Sequence, residues 1–191
     1  MDQPKLEFPF NEAKALEATA EILRLAGGIL DRFHVVKCIS LAERTSLARR
    51  ERPICGGQYA SMPHGPVPKT VYAKITGYSP GWERWIGPGD GDYIRLRQDV
   101  PARQFSESET AILRETFSAY GTMPFPALWK LVHDPQQFPE YRDPAATGGE
   151  SRLEVEEILA AVGRTPEDIE RIRRDVADED EIDRLLPSFA T

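Results

Sequence analysis

"RPICGGQYASMPHGPVPKTVY", from Arg52 to Tyr72, is the stretch on which the arrangement of the chain turns. From Pro53 to Pro68 it runs sixteen residues without a charge, broken by four prolines and three glycines. A membrane span is excluded, because the glycines, prolines and polar side chains would leave backbone groups unsatisfied in lipid. A buried strand is disfavoured by the same prolines. The remaining reading is an ordered loop that wedges two helices at a fixed angle, with Tyr59, Met62 and Val67 inward and His64 near the surface. Ordered loops of this length usually carry function.

On either side the sequence punctuates helices. Asn11 caps a first helix that reaches Ala26 and stops at Gly27-Gly28, its Leu16, Ala20 and Leu23 on one ridge. A second helix, Arg32 to Arg50 behind Asp31, places Val35, Val36, Ile39, Ala42 and Leu47 broadly on one side and Arg44, Arg49 and Arg50 elsewhere, and ends before Pro53. Pro68 suits the first turn of a third helix bearing Val71, Tyr72 and Ile75.

Then the period changes. Trp82 to Ile86 and Tyr93 to Arg97 flank "GPGDGD", which predicts an antiparallel hairpin. Ser106 and Glu109 form an S-x-x-E capping box opening a helix that ends at Gly121. "FPALWKLVHD" predicts a further helix with Pro126 in its first turn. Two C-terminal helices fit Leu153 to Val162 and Pro166 to about Leu186, the latter capped by Thr165. The fold class expected is mainly α, a single helical domain with a small antiparallel β hairpin.

Composition narrows function by exclusion. The 191 residues carry a net charge of −7, so general attraction to nucleic acid or an anionic membrane is absent, and a basic partner surface suits the chain better. Two cysteines, Cys38 and Cys55, give no disulfide framework. "MDQPKLEFPF" does not read as a signal peptide, which leads to the expectation of a cytoplasmic protein.

Catalytic templates fit poorly. "GPGDGD" lacks the lysine and the strand-to-helix setting of a phosphate loop, and no G-x-S-x-G elbow is present. His34, His64 and His133 are scattered, without a spacing that brings two imidazoles to one metal. His64 before Gly65-Pro66 reads as a loop-organising hydrogen-bond donor, with a ligand contact as the alternative. Trp82, Trp85 and Trp129 read as packing, although an exposed tryptophan would be a binding anchor. No cofactor or metal is expected, and the chain is not expected to be an enzyme.

"KCISLAERTSLARRERPICGGQYASMPHGPVPKTVYAKI" resembles the central block of the SocA-like antitoxin family, the Panacea domain. The shared pattern is an apolar helix, an acidic-Arg pair, a G/R-P-I/V-x-G turn, a Y-x-A/S-M/W segment, G-P-V and a tyrosine-ending helix. "SESETAILRETFSAYGTMPFPALWKLVHD" is similar to its second block, and the whole resemblance runs from about Asn11 to Val162. The chain carries Ser40-Leu41-Ala42-Glu43 where members commonly have Tyr-Leu-Ala-Asp, and Pro139-Glu140-Tyr141 at an aromatic position commonly filled by tryptophan.

The resemblance implies an antitoxin that binds and neutralises a cognate protein toxin, by direct blockade or by presenting it to an ATP-dependent protease. It is densest around Arg44, Arg52, Tyr59, His64, Gly65 and Pro66, which are therefore the expected partner-binding residues. It also implies a domain over residues 1–165, followed by an acidic helical extension over residues 166–191. Two other classes stay open on the residues alone. A DNA-binding autoregulator would need one positive face, and a small hydrolase would need a convergent polar site near His64.

Overall fold

In the computed structural model, which describes residues 5–77, 80–101, 104–144 and 149–185, the helix that follows Asp31 is the axis of the molecule. Helix α1 (Glu12–Leu25) is capped by Asn11, whose side chain accepts from the Lys14 amide at 2.9 Å. Strand β1 (Ile29–Asp31) leads straight into α2 (Arg32–Arg50), where the Asp31 carboxylate accepts from the His34 amide at 3.0 Å. The end of α2 is Glu51, in the left-handed region at φ 60°.

The sequence places the apolar residues of α2 on one side, and the structure differs. His34 to Ile39, Leu41 to Glu43, and Ser46-Leu47 are all buried, because other elements cover the helix on most sides. A central helix needs no amphipathic stripe.

The uncharged stretch is not a loop. Tyr59–Met62 forms β2 and Gly65–Pro68 forms β3, joined by the two-residue turn Pro63-His64. Residues in an antiparallel ladder alternate between those that bond to the partner strand and those whose backbone groups point away. Pro66 and Pro68, two apart, take the second parity. The Pro66 carbonyl confirms it by turning to α2, where it accepts from Lys37 at 2.8 Å and Ser40 at 3.1 Å. Gly65 and Val67, opposite Met62 and Ala60, are left to carry the ladder. Proline is tolerated because β3 is an edge strand.

Helix α3 (Lys69–Thr76) follows, with Pro68 as its cap residue. The predicted hairpin is present as β4 (Ile86–Pro88) and β5 (Tyr93–Leu96), shorter than expected because Trp82 to Trp85 form turns. It is not alone. Strand β1 pairs with β5, giving one antiparallel sheet of order β1-β5-β4. Strand β6 (Ser151–Leu153), whose last residue is the one expected to open a helix, pairs with β2 to give a second sheet of order β3-β2-β6. The fold is mainly helical, with two small three-stranded sheets in place of one hairpin.

Helix α4 (Glu107–Tyr120) opens on the capping box predicted for it: Ser106 accepts from the Glu109 amide, and Glu109 accepts from the Ser106 amide at 2.8 Å. Helices α5 (Phe125–Val132), α6 (Val155–Ala161) and α7 (Pro166–Leu185) complete the order. Thr165 and Asp168 cap α7 reciprocally, and the expected end of that helix at Leu186 lies outside the described residues. Ile172 and Val176 of α7 are buried with Leu6, Phe8, Leu47, Tyr59 and Ile158. The central core joins α1, α2, α3 and α4 to the β1-β5-β4 sheet, and a third cluster packs Leu41 against Leu128, Val132 and Phe138.

Candidate functional site

The β2-β3 turn projects His64 toward two helices. The His64 ring meets Phe33 of α2 and Phe125 of α5 edge-on, at centroid distances of 6.3 and 6.2 Å, and Phe33 and Phe125 touch each other at 4.5 Å. These contacts replace the expected loop hydrogen bond, since His64 makes none with the described residues. The turn is held instead by its neighbours. His133 bridges the Trp129 carbonyl, 2.6 Å from Nδ1, to the Pro63 carbonyl, 3.2 Å from Nε2, and the Tyr141 hydroxyl donates to the Met62 carbonyl at 3.2 Å.

Phe125, Leu128, Trp129 and Val132 of helix α5 lie along one broad arc, which the rest of the molecule covers only in part. Leu128 and Val132 are buried, whereas Phe125 and Trp129, four apart and therefore on one side, are 46% and 39% exposed. Trp129 stacks on His133 at 3.9 Å. The result is two aromatic groups one turn apart along α5: Phe33, His64 and Phe125 in mutual contact, and Trp129 stacked on His133.

Beside the first group opens a pocket of about 940 Å³. Its walls include Phe33, Met62, His64, Tyr72, Tyr93 and Phe125, and its polar and ionisable residues include Asp31, Arg32, His34, Lys37 and Asp92. Lys37 is fully buried by α2, the β2-β3 hairpin and α5: a Cβ placed on Gly65, which holds φ +96°, would lie 3.3 Å from its Nζ and 2.6 Å from Val132. Only glycine satisfies both the backbone angle and that approach. Burial pulls the Lys37 ammonium down from 10.5 to about 7.

The residues expected to bind a partner divide into two groups. His64 sits in the turn and lines the pocket, whereas Gly65 and Pro66, in the edge strand, are buried behind it. Arg44 instead lies across α2, donating from Nε to Glu140 and from Nη2 to the Gln137 carbonyl, both at 2.7 Å, over the Phe138 ring. Arg52 donates to Glu179 of α7 at 2.7 Å and covers the Phe8 ring. Tyr59 is 4% exposed, and its hydroxyl donates to the buried Glu43 carboxylate at 2.7 Å. The other oxygen of Glu43 accepts from the Cys55 amide at 2.7 Å, so this acid ties the end of the uncharged stretch to α2. Burial pushes the Glu43 carboxyl up. Arg44, Tyr59 and Pro66 do converge on one crevice, but at about 20 Å³ it has room for little more than a water molecule.

The cysteines are packing residues. Both are buried, and burial pushes the Cys38 thiol up to about 12 and raises Cys55 further from thiolate formation. Among the described residues no helix is long and apolar enough to cross a membrane.

With this geometry in place, the comparison with protein families is direct: the model described as "Antitoxin SocA-like, Panacea domain" matches residues 35–137, more than half of the chain. The chain belongs to the SocA-like antitoxin family. The matched Panacea domain contains the β2-β3 hairpin, Lys37, Arg44, Phe125 and Trp129, and is shorter than the span from Asn11 to Val162 suggested by sequence resemblance. Membership points to a role in a toxin–antitoxin system, with a toxin as partner, and not to catalysis. Neither the curated proteins nor the solved structures give a match.

Sequence reasoning missed Phe33, Lys37 and Phe125. A signal existed for one of them: "FPALWKLV" is apolar at Phe125, Ala127, Leu128, Trp129, Leu131 and Val132, more apolar residues than one side of a short helix can bury.

Proposed function

We propose that this chain is the antitoxin of a toxin–antitoxin pair and that it neutralises a cognate protein toxin by binding it on the aromatic face of the Panacea domain. The observation that carries the proposal is the cluster of Phe33, His64 and Phe125 lining an open pocket, with the exposed Trp129 one turn along α5. Exposed aromatic side chains that are pre-positioned lose little freedom on binding and provide most of the affinity of protein interfaces. His64 contributes directly, and the buried Gly65 and Pro66 act by shaping the turn that presents it. Arg44 and Tyr59 act through the frame: Arg44 fixes the segment around Glu140, and Tyr59 fixes the hairpin on Glu43.

Residues 1–165 hold the toxin, and the extension over residues 166–191 adds acidic charge that speeds encounter with a basic toxin. Binding neutralises the toxin by blockade or by delivery to an ATP-dependent protease. Growth of cells expressing the product of the neighbouring reading frame tests the proposal. The wild-type chain should restore growth, whereas F125A/W129A should fail to do so while remaining folded. Restoration that persists in a strain lacking ATP-dependent proteases would assign blockade, and its loss there would assign delivery. No restoration by the wild type would reject the proposed function.

A further inference from the structure

The pocket beside His64 contains an ammonium that neither of its carboxylates, Asp31 or Asp92, pairs with. Lys37 is 1% exposed and donates one hydrogen bond, to the Pro66 carbonyl at 2.8 Å, with the Phe33 ring centroid 5.7 Å away. An ammonium has three donors, and no carboxylate of a described residue lies within ion-pair distance of this one. Both carboxylates of the pocket, Asp31 and Asp92, already have partners other than Lys37. Arg32 donates to Asp92 at 2.6 Å, and His34 Nδ1 lies 2.6 Å from Asp31 Oδ2.

An unpaired buried cation is costly in the free protein. It becomes favourable when a partner brings the missing anion, and an arriving carboxylate would restore the charge that burial suppresses. The walls fix what else the partner must carry. Phe33, Phe125, Tyr72 and Tyr93 line the approach and suit apolar or aromatic atoms. A chain with a net charge of −7 does not attract acidic segments at long range, so selection here depends on desolvated contact with one ammonium.

We propose that Lys37 is the point at which the pocket recognises its partner, by pairing with an acidic side chain that a mainly apolar segment of the toxin inserts between His64 and Phe125. This inference rests on the antitoxin reading and specifies the partner's chemistry.

The test uses N-acetyl-phenylalanine and its carboxamide as probes, titrated into the full chain and followed by the NMR signals of labelled lysine and phenylalanine. The carboxylate should bind about tenfold more tightly than the amide to the wild type, as charge assistance requires, and the preference should vanish in K37M. Equal binding of the two probes to the wild type, or a preference that survives in K37M, overturns the inference. F125A, which alters an exposed wall, should weaken both probes and provides a second variant if K37M does not fold.

Binding of the neighbouring gene product separates the two claims. A toxin that binds wild type and K37M equally removes the role of Lys37 and leaves the antitoxin reading intact. A toxin that binds neither, with the probe preference intact, removes the antitoxin reading and leaves a site for small aromatic carboxylates.

Discussion

Replacing Lys37 by methionine keeps most of the side-chain length and removes a buried charge, so its effect on stability can be worked from the structure. Burial moves the ammonium from 10.5 to about 7. At about 1.4 kcal/mol per unit, this difference corresponds to a penalty of about 5 kcal/mol when the group is charged in both states. The sign follows from proton binding. Between pH 7 and 10.5 the unfolded chain holds the proton and the folded chain releases it, so stability rises with pH by about 1.4 kcal/mol per unit. Below pH 7 the full penalty is present. Cys38, pushed from 9.0 up to about 12, works in the opposite direction above pH 9, and the raised Glu43 carboxyl does so above pH 4.5, so the Lys37 contribution is read from the difference between wild type and K37M.

K37M should therefore be more stable than wild type at pH 6. The gain should be about 3 kcal/mol once the lost hydrogen bond and imperfect packing are subtracted. The Pro66 carbonyl keeps Ser40 as a donor in the variant. By pH 9 the advantage should have shrunk by about 3 kcal/mol. Urea unfolding followed by circular dichroism at unit steps from pH 6 to 9 measures both quantities. Identical pH slopes for the two proteins, or a K37M variant less stable at pH 6, would refute the reasoning.

Gly65→Ala forces a side chain into the left-handed region and against Val132, and should cost about 3 kcal/mol in urea stability. Ser106→Ala removes the acceptor for the Glu109 amide and should cost about 1 kcal/mol; an unchanged melting temperature would place the start of α4 elsewhere. Ile172→Ala should cost about 3 kcal/mol, because Ile172 is buried against residues from outside α7. For that reason charge reversal of exposed acids on α7 is a better test of electrostatic steering than truncation after Thr165. It should slow association as added salt does, with little change in dissociation.

The parts of the fold that were legible in the sequence are those set by local chemistry. Asn11, Asp31 and Ser106 mark helix starts because an acceptor side chain serves amides within the next three residues, and each does so here. The β2-β3 hairpin was hidden because proline spoils most strands, and only its edge position with alternating parity makes Pro66 and Pro68 acceptable. Strands β1 and β6 are three residues long and pair with partners more than sixty residues away, beyond the reach of any local pattern.

The site divides in the same way. The unusual composition of His64-Gly65-Pro66 drew notice in the sequence, whereas Arg44, Arg52 and Tyr59 could not be seen to face internal partners until Glu140, Glu179 and Glu43 were placed. Lys37 on a helix would ordinarily be solvated. Its burial is created by a hairpin strand whose Pro66 lies 29 residues further along the chain.

The dissociation constant of the complex with the neighbouring gene product, for wild type and for F125A/W129A, bears most directly on the central claim. A toxin that must be silenced at low abundance calls for a wild-type value of about 1 nM. Loss of two central aromatic anchors should raise it about a hundredfold or more, with unchanged circular dichroism. A wild-type chain that forms no complex, or a double variant that binds as tightly as wild type, would contradict the account.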